Sequence, residues 1–414
     1  MVISAMGAGM RTNMRTVAGS TNYGRLLVTP KKQSLNIILL VSFLLLMCGL
    51  LMMTSASIEI ASNDYGDPFY HLKRQSIFLV MGLFSLIITL TIPLSFWRNI
   101  SWFLLMGSFA LLLLVLVPGI GISVNGSQRW INLGLFNLQP SELAKVFIII
   151  YLAAFLERNL EEVQNNWSGF VKPLSVIGAA VALLHFEPDH GAMVILMLTA
   201  FCMIFLAGAK LYRFILMLSI CGGGVVALAI MKPYVIVRLS AYLNPWAPEN
   251  VFTSGYQVTQ ALIAFGRGEW FGVGLGNSIQ KLYFLPEAHN DFVLAIIGEE
   301  LGLVGVVAVI ALFCVLVVQA LSIGKLAQSK NRLFAAFLAY GLGLLFAGQA
   351  LINIGVNINL LPTKGLTLPF LSYGGASLIV SCFMIALLVR IQYEIECLEE
   401  CLEECLEEGL QGES

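Results

Sequence analysis

Charged residues are scarce in this chain of 414 residues, because Asp, Glu, Lys and Arg make up only 11% of it. A soluble globular domain carries roughly 25%. Hydrophobic residues make up 58% of the chain, and long apolar runs recur along most of its length. This composition excludes a water-soluble enzyme, and the number of apolar runs excludes a protein held by a single membrane anchor.

Cysteine is absent from the segments predicted to lie on the extracytoplasmic side, and the whole chain has four histidines. A disulfide framework is therefore not expected. Two of the histidines belong to the short stretch His185, Glu187, Asp189 and His190, which Pro188 bends. That spacing fits no closed zinc site, although it leaves a looser site for a hard cation open.

The apolar runs predict an all-α polytopic membrane protein with about ten transmembrane helices, since a span needs about 20 apolar residues. One large extracytoplasmic loop separates the seventh helix from the eighth. The predicted helices are 36–57, 76–94, 100–118, 141–157, 171–186, 191–209, 211–231, 291–321, 333–361 and 368–391.

Lys and Arg are concentrated on one side of these helices, and the positive-inside rule places that side, with both termini, in the cytoplasm. The sequence predicts a basic cytoplasmic arm at 1–35, a membrane domain at 36–392 and an acidic cytoplasmic tail at 393–414. Residues 232–290 form the large extracytoplasmic loop. Glu residues crowd at i,i+4 spacing in 396–408, which weakens a helix and predicts a solvated low-complexity segment.

Ionisable residues are densest at the end of the large loop, where Glu287, His289 and Asp291 precede the predicted eighth helix. A carboxylate here suits chemistry on a polar substrate beside the membrane. The alternative is helix capping, because Asn290 and Asp291 are favoured N-cap residues. Earlier in the loop, residues 255–265 mix apolar and amide side chains, which is typical of interfacial structure.

Polar residues also occur inside the predicted spans. Glu299 and Glu300 are candidates for a function because ionisable groups are costly in a membrane. Gln349, Asn353 and Asn357 follow i,i+4 spacing and therefore share one face of a helix. That face either lines a polar cavity or makes hydrogen bonds to other helices.

Two basic residues of the outer segments are candidates for anion binding. Lys364, in the segment 361–375, either meets a phosphate as a point charge or extends its side chain to the interface. Arg129 either binds an anion or anchors the segment 123–145 at the interface. In the same segment, Ser141 is predicted to cap the fourth helix.

Four motifs together resemble the shape, elongation, division and sporulation family. They are LPEAHNDFVLAIIGEELG at 285–302, LPTKGLTLPFLSYGG at 361–375, GSQRWINLGLFNLQPSELAK at 126–145 and AYLNPW at 241–246. The resemblance extends over about 36–392, and it is closer to the family's division member than to its elongation member.

The resemblance implies a ten-helix peptidoglycan glycosyltransferase that polymerises lipid II in the bacterial cytoplasmic membrane at the division septum. Its implied partners are a class B penicillin-binding transpeptidase and other membrane proteins of the divisome, with no nucleic acid. A lipid II flippase and a division scaffold are the alternatives. Transporters tend to contain inverted repeats, and we find no convincing repeat here.

The family's essential aspartate falls on Asp291, and Lys364 and Arg129 match family positions important for activity. The family commonly has QPDLG where this chain has EPDHG at 187–191, so Asp189 carries over. The resulting hypothesis makes Asp291 the general base. Lys364, Arg129 and a divalent cation near Asp189, Mg²⁺ or Mn²⁺, would neutralise the pyrophosphate leaving group.

Overall fold

The computed structural model describes residues 33–411, except 125–126, 133, 135–136, 218, 220–241, 254 and 363–364. The helices of the first half are α1 (Gln33–Tyr65), α2 (Tyr70–Thr91), α3 (Leu94–Asn99), α4 (Ser101–Leu116), α5 (Pro140–Arg158), α6 (Leu160–Asn165), α7 (Trp167–Phe186) and α8 (His190–Leu206). Those of the second half are α9 (Tyr256–Gly268), α10 (Val293–Ser329), α11 (Leu333–Asn357) and α12 (Gly375–Gln411).

Six of the described helices are long and apolar enough to cross a membrane, namely α1, α2, α7, α10, α11 and α12. Helices α4 and α8 are shorter apolar helices. The all-α polytopic prediction is therefore confirmed. Each predicted span overlaps described helical residues. For the span at 211–231 the overlap is with 211–217, because most of its remaining residues lie outside the described ones.

A small antiparallel sheet follows α4, and the sequence analysis did not predict it. Its strands are β1 (Gly121–Val124), β2 (Ser127–Asn132) and β3 (Asn137–Leu138), in that spatial order. The strands are too short to produce a clear alternation of apolar and polar residues. Strand β2 carries Arg129, so the sheet determines where this candidate residue lies.

Several connections meet at one end of the helix bundle, which we call the site face. The Tyr283 hydroxyl bonds Asp64 at the end of α1 at 3.1 Å. The backbone N–H of Tyr373 donates to the His289 carbonyl oxygen at 2.9 Å. Arg129 reaches from β2 to the connection between α7 and α8. These contacts bring segments far apart in sequence to the same end of the molecule.

Helix α11 lies at the centre of the bundle and packs against α5, α8, α10 and α12. Its predicted polar face is buried, with Gln349, Asn353 and Asn357 each at most 4% exposed. Gln349 donates to the Glu142 carboxylate at 3.4 Å. The structure thus favours interhelical hydrogen bonding for this face.

Helix α10 is broken at Gly302, whose φ of 69° is accessible mainly to glycine. The break would leave backbone groups unsatisfied within a membrane. The chain after α9 supplies their partners. The backbone bonds run from Leu303 N to Glu269 O, Val304 N to Trp270 O, Val273 N to Glu299 O and Gly274 N to Glu300 O.

Glu299 and Glu300, next to this break, are fully buried and form ion pairs with the large loop. Arg267 lies 2.6 Å from Glu299, and Lys281 lies 2.9 Å from Glu300. Ser55 of α1 also donates to Glu300 at 2.8 Å. These two candidates therefore hold the loop against α10.

Helix α12 continues through the predicted boundary at residue 393 and ends at Gln411. On the far side of the bundle from the site face, Glu394 of this helix accepts a bond from the Leu94 N–H at 2.8 Å. Arg390 pairs with Glu394 at 2.9 Å. The start of the acidic segment thus packs against the membrane domain.

Candidate functional site

Asp291 lies on the site face immediately before α10. The helix N-cap is Phe292, with no side-chain capping bond, so the capping role weighed for Asn290 and Asp291 is wrong. Asn290 donates instead to the Glu287 carboxylate. Among the described residues, no hydrogen bond reaches the Asp291 carboxylate, which leaves its oxygens available to accept a proton.

The surroundings of Asp291 raise its pKa from 3.8 to about 7, chiefly through burial. The negative charges of Glu287 and Asp189 add to this shift, and the Arg129 charge opposes it. A carboxylate titrating near neutral pH is well matched to general base catalysis. The charges of Arg129 and Asp189 are therefore close enough to Asp291 to affect its pKa.

Arg129 connects the sheet to the segment between α7 and α8. Its Nε donates to the Glu187 carbonyl oxygen at 3.3 Å, and its Nη2 donates to the Pro188 carbonyl oxygen. Backbone carbonyls do not neutralise a guanidinium charge. Arg129 therefore remains a cation near Asp291, where an anionic leaving group would be stabilised.

Asp189 has a structural role at the start of α8. It accepts a hydrogen bond from Ala192 N at 3.2 Å as the N-cap residue, and others from Ser141 Oγ at 2.8 Å and Gln139 Nε2 at 3.2 Å. Ser141 was predicted to cap its own helix, which is wrong because its hydroxyl bonds Asp189. A role for Asp189 toward substrate stays a prediction.

Glu187 is fully buried beside this cap, and neither carboxylate oxygen has a hydrogen-bond partner in the part of the chain that the structure describes. Burial and the negative Asp189 raise the pKa of Glu187 to about 8, against the opposing Arg129 charge. At neutral pH this side chain is mostly uncharged. The sequence marked Glu187 as a departure from the family pattern and as a member of a possible cation site, and gave no indication that it is buried without a hydrogen-bond partner in the described structure.

No group of three or more His, Cys, Asp or Glu side chains suited to a metal ion occurs within the described residues. The oxygens of Asp189 are already used by the α8 cap and by its two side-chain donors. His190 Nδ1 lies 3.0 Å from the Pro188 carbonyl oxygen. The divalent cation near Asp189 therefore stays a prediction.

Lys364 lies outside the described residues, but the next residue borders the site. A Cβ atom built on Gly365 would lie 2.9 Å from Asp291 Oδ2, which is closer than real Cβ contacts allow. The segment that follows Lys364 thus approaches Asp291 so closely that a methyl group at position 365 would displace the carboxylate. Segments 285–302 and 361–375 therefore meet at Asp291.

His289 packs in an aromatic cluster with His71 and Tyr373, with ring centroids 5.0 and 5.7 Å away. Burial and the nearby His71 lower the pKa of His289 to about 4. The imidazole is therefore neutral at pH 7 and a poor proton donor. Its contacts support the loop that carries Asp291, and the sequence contained no indication of the His71 partner.

A cavity of about 590 Å³ lies away from these residues, between α1 and the returning part of the large loop. Ser55, Glu59, Leu275 and Lys281 are among its lining residues. Lys281, one of its charged lining residues, is already paired with Glu300. Charge and burial, rather than cavity size, therefore identify the Asp291 region as the candidate site.

Comparison with known proteins agrees with this site and fold. The model of the cell cycle protein family that groups FtsW, RodA and SpoVE matches residues 35–396. The chain belongs to this family. The match covers almost the same range as the resemblance found from the motifs, which is thereby confirmed.

Curated relatives within the family are similar over most of their length. A probable peptidoglycan glycosyltransferase FtsW of Pseudomonas fluorescens (strain SBW25) is 50% identical, covering 84% of this chain and 86% of the relative. The protein of the same name from Coxiella burnetii (strain RSA 493 / Nine Mile phase I) is 48% identical, covering 85% and 94%.

Solved structures share the fold at 24% identity. One, described as showing structural coordination of polymerization and crosslinking by a peptidoglycan synthase complex, has a TM-score of 0.71 and covers 86% of this chain and 97% of that one. The rod shape determining protein RodA of Thermus thermophilus has a TM-score of 0.62, covering 86% and 96%.

Proposed function

We propose that this protein is a peptidoglycan glycosyltransferase that polymerises lipid II into glycan strands. The observation that carries the proposal is the Asp291 carboxylate, which has no hydrogen bond among the described residues and a pKa of about 7. It lies near the cationic Arg129 at the site face. The names of the family relatives support the same activity.

In the proposed reaction, Asp291 removes the proton from the 4-hydroxyl of one lipid-linked disaccharide. The oxygen then bonds to the anomeric carbon of a second sugar, and the bond from that carbon to pyrophosphate breaks. Undecaprenyl pyrophosphate departs with the electron pair. Arg129 and Lys364 stabilise the negative charge that grows on the departing phosphates.

The proposal also covers the setting of the reaction. The protein works in the cytoplasmic membrane at the division septum, with both termini in the cytoplasm and the site face outside. Its partners are a class B penicillin-binding transpeptidase and other divisome membrane proteins. The likeness in fold to a protein from a peptidoglycan synthase complex supports such a partner.

The test is a gel assay of purified protein with labelled lipid II, with and without the transpeptidase. Wild type is expected to give a ladder of glycan strands, and Asp291→Asn to give none, because an amide cannot accept the proton. Asp67→Asn is the matched control, since Asp67 is partly exposed and pairs with Lys73 at 2.6 Å. A normal ladder from Asp291→Asn would refute the assignment.

A further inference from the structure

Two buried asparagines of α11 contact the backbone of the proposed catalytic residue. Asn353 and Asn357 are 1% and 0% exposed and lie one helical turn apart. Their Nδ2 atoms donate to the carbonyl oxygen of Asp291 at 2.9 and 3.0 Å. This carbonyl precedes the first turn of α10, and no backbone hydrogen bond of the described chain uses it.

Asn353 also joins the two segments that form the site. Its Nδ2 donates to the Leu366 carbonyl oxygen at 2.6 Å. Gly365, the preceding residue, borders the Asp291 carboxylate. A single side chain thus bonds both the segment with Asp291 and the segment that follows Lys364.

Asn357 lies one helical turn closer to the site face and bonds the first turn of α10. Its Oδ1 accepts from Ala295 N at 3.2 Å, in the first turn of α10. Its Nδ2 also donates to the Asn353 carbonyl oxygen at 2.9 Å. The first turn of α10 is therefore held through both its preceding carbonyl and one of its N–H groups.

We propose that Asn353 and Asn357 are positioning residues, which hold the Asp291 carboxylate against the 365–366 segment in the geometry needed for proton removal. The inference rests on the proposed function. Without the two amide donors, the Asp291 peptide is free to rotate and the carboxylate moves away from its productive position. A displacement of about 1 Å can cost about 100-fold in rate.

The test compares Asn353→Ala, Asn353→Asp and Asn357→Ala with wild type in the polymerisation assay. Asn359→Ala is the matched control. The Asn359 side chain donates to the Tyr242 carbonyl oxygen at 3.3 Å and makes no hydrogen bond to Asp291, Leu366 or Ala295 among the described residues. We expect kcat to fall about 100-fold with Asn353→Ala while KM changes less than about threefold. Asn353→Asp fills the same space without the amide donors and should lose at least as much.

A pH–rate profile separates positioning from packing. Displacement of the carboxylate changes its distance to Arg129 and Glu287, so the apparent pKa of kcat should shift in the Asn353 variants and stay unchanged in Asn359→Ala. An active Asn353→Asp, or an unshifted profile in an impaired Asn353→Ala, would overturn the inference. If the wild-type protein itself formed no polymer, the proposed function would be refuted instead.

Hydrogen–deuterium exchange tests the positioning without relying on activity. In Asn357→Ala, the amide of Ala295 should exchange faster than in wild type, because one of its two acceptors is removed and only the Phe292 carbonyl oxygen remains. In Asn359→Ala it should exchange at the wild-type rate. Equal protection of Ala295 in all three proteins would show that the asparagines do not hold this turn.

Discussion

The proposed base is defined by its surroundings, because a carboxylate needs burial and nearby negative charge to titrate near neutral pH. Asp291 has both, with Glu287 and Asp189 nearby. The sequence motifs were sufficient to propose Asp291 and Arg129 as site residues, which stays a prediction. They were not sufficient to predict Glu187, whose burial depends on how the α7–α8 connection packs.

The raised pKa of Asp291 predicts a pH dependence of catalysis. The base acts only when ionised, so log(kcat/KM) should rise with a slope of about 1 below pH 7 and level off above about pH 7. The measurement is the initial rate of lipid II polymerisation from pH 5.5 to 8.5. A profile that is flat through this range would contradict the assignment.

Glu187 predicts an effect on stability. The pKa of Glu187 in the folded protein, about 8, exceeds the ordinary 4.5. Its contribution to the free energy of unfolding is therefore fully present below about pH 4.5 and is lost as pH rises through about 8. The amide of Glu187→Gln does not ionise, so this variant should not lose stability in the same way as pH rises. We expect its melting temperature to exceed that of wild type by about 3 °C or more at pH 8.

The control for this variant is Glu249→Gln, since Glu249 is exposed. Its melting temperature should match wild type at both pH 5 and pH 8. The difference between Glu187→Gln and wild type should shrink as pH falls toward 5. A variant that melts below wild type at pH 8 would show that Glu187 is ionised and paired.

Gly365 predicts a steric requirement. A methyl group there would press on Asp291 Oδ2, so Gly365→Ala should reduce kcat at least about tenfold by displacing the carboxylate. At Gly374 an added Cβ would meet its nearest atom at 3.5 Å, which is an ordinary contact. Gly374→Ala should therefore keep wild-type kcat in the same assay.

At the scale of elements, apolar length was enough to predict the membrane helices, because a span must satisfy its own backbone in lipid. It did not predict the strands β1 to β3 or the break in α10. The break depends on 269–274, which supplies backbone partners that no local pattern reveals. Glu299 and Glu300 were candidates for a function because ionisable groups are costly in a membrane, and no local pattern showed their partners Arg267 and Lys281.

The break predicts that Gly302 is required. An added Cβ would strain its positive φ and clash with the backbone at Gly272, so Gly302→Ala should destabilise the protein by about 1–3 kcal/mol. A lower melting temperature in detergent measures this effect. Gly178→Ala in α7 is the control, because a Cβ there meets nothing within 4 Å. Equal melting of the two variants would contradict the account of the break.

At the scale of the whole molecule, the site is assembled from β2, the α7–α8 connection, the end of the large loop and the segment after α11. The motifs named residues in each of these segments. They did not show that α11 connects them, because i,i+4 spacing reveals a shared face without its partners. The buried, hydrogen-bonded face of α11 also leaves a transport route without support in the described structure.

The most direct test measures glycan synthesis and lipid II crossing in the same vesicles, with the transpeptidase present. Wild type should produce glycan strands. Asp291→Asn should lower synthesis by about 100-fold or more, with any crossing of lipid II unchanged. Vesicles in which wild type moves lipid II across the bilayer without forming polymer would contradict the account and favour a flippase.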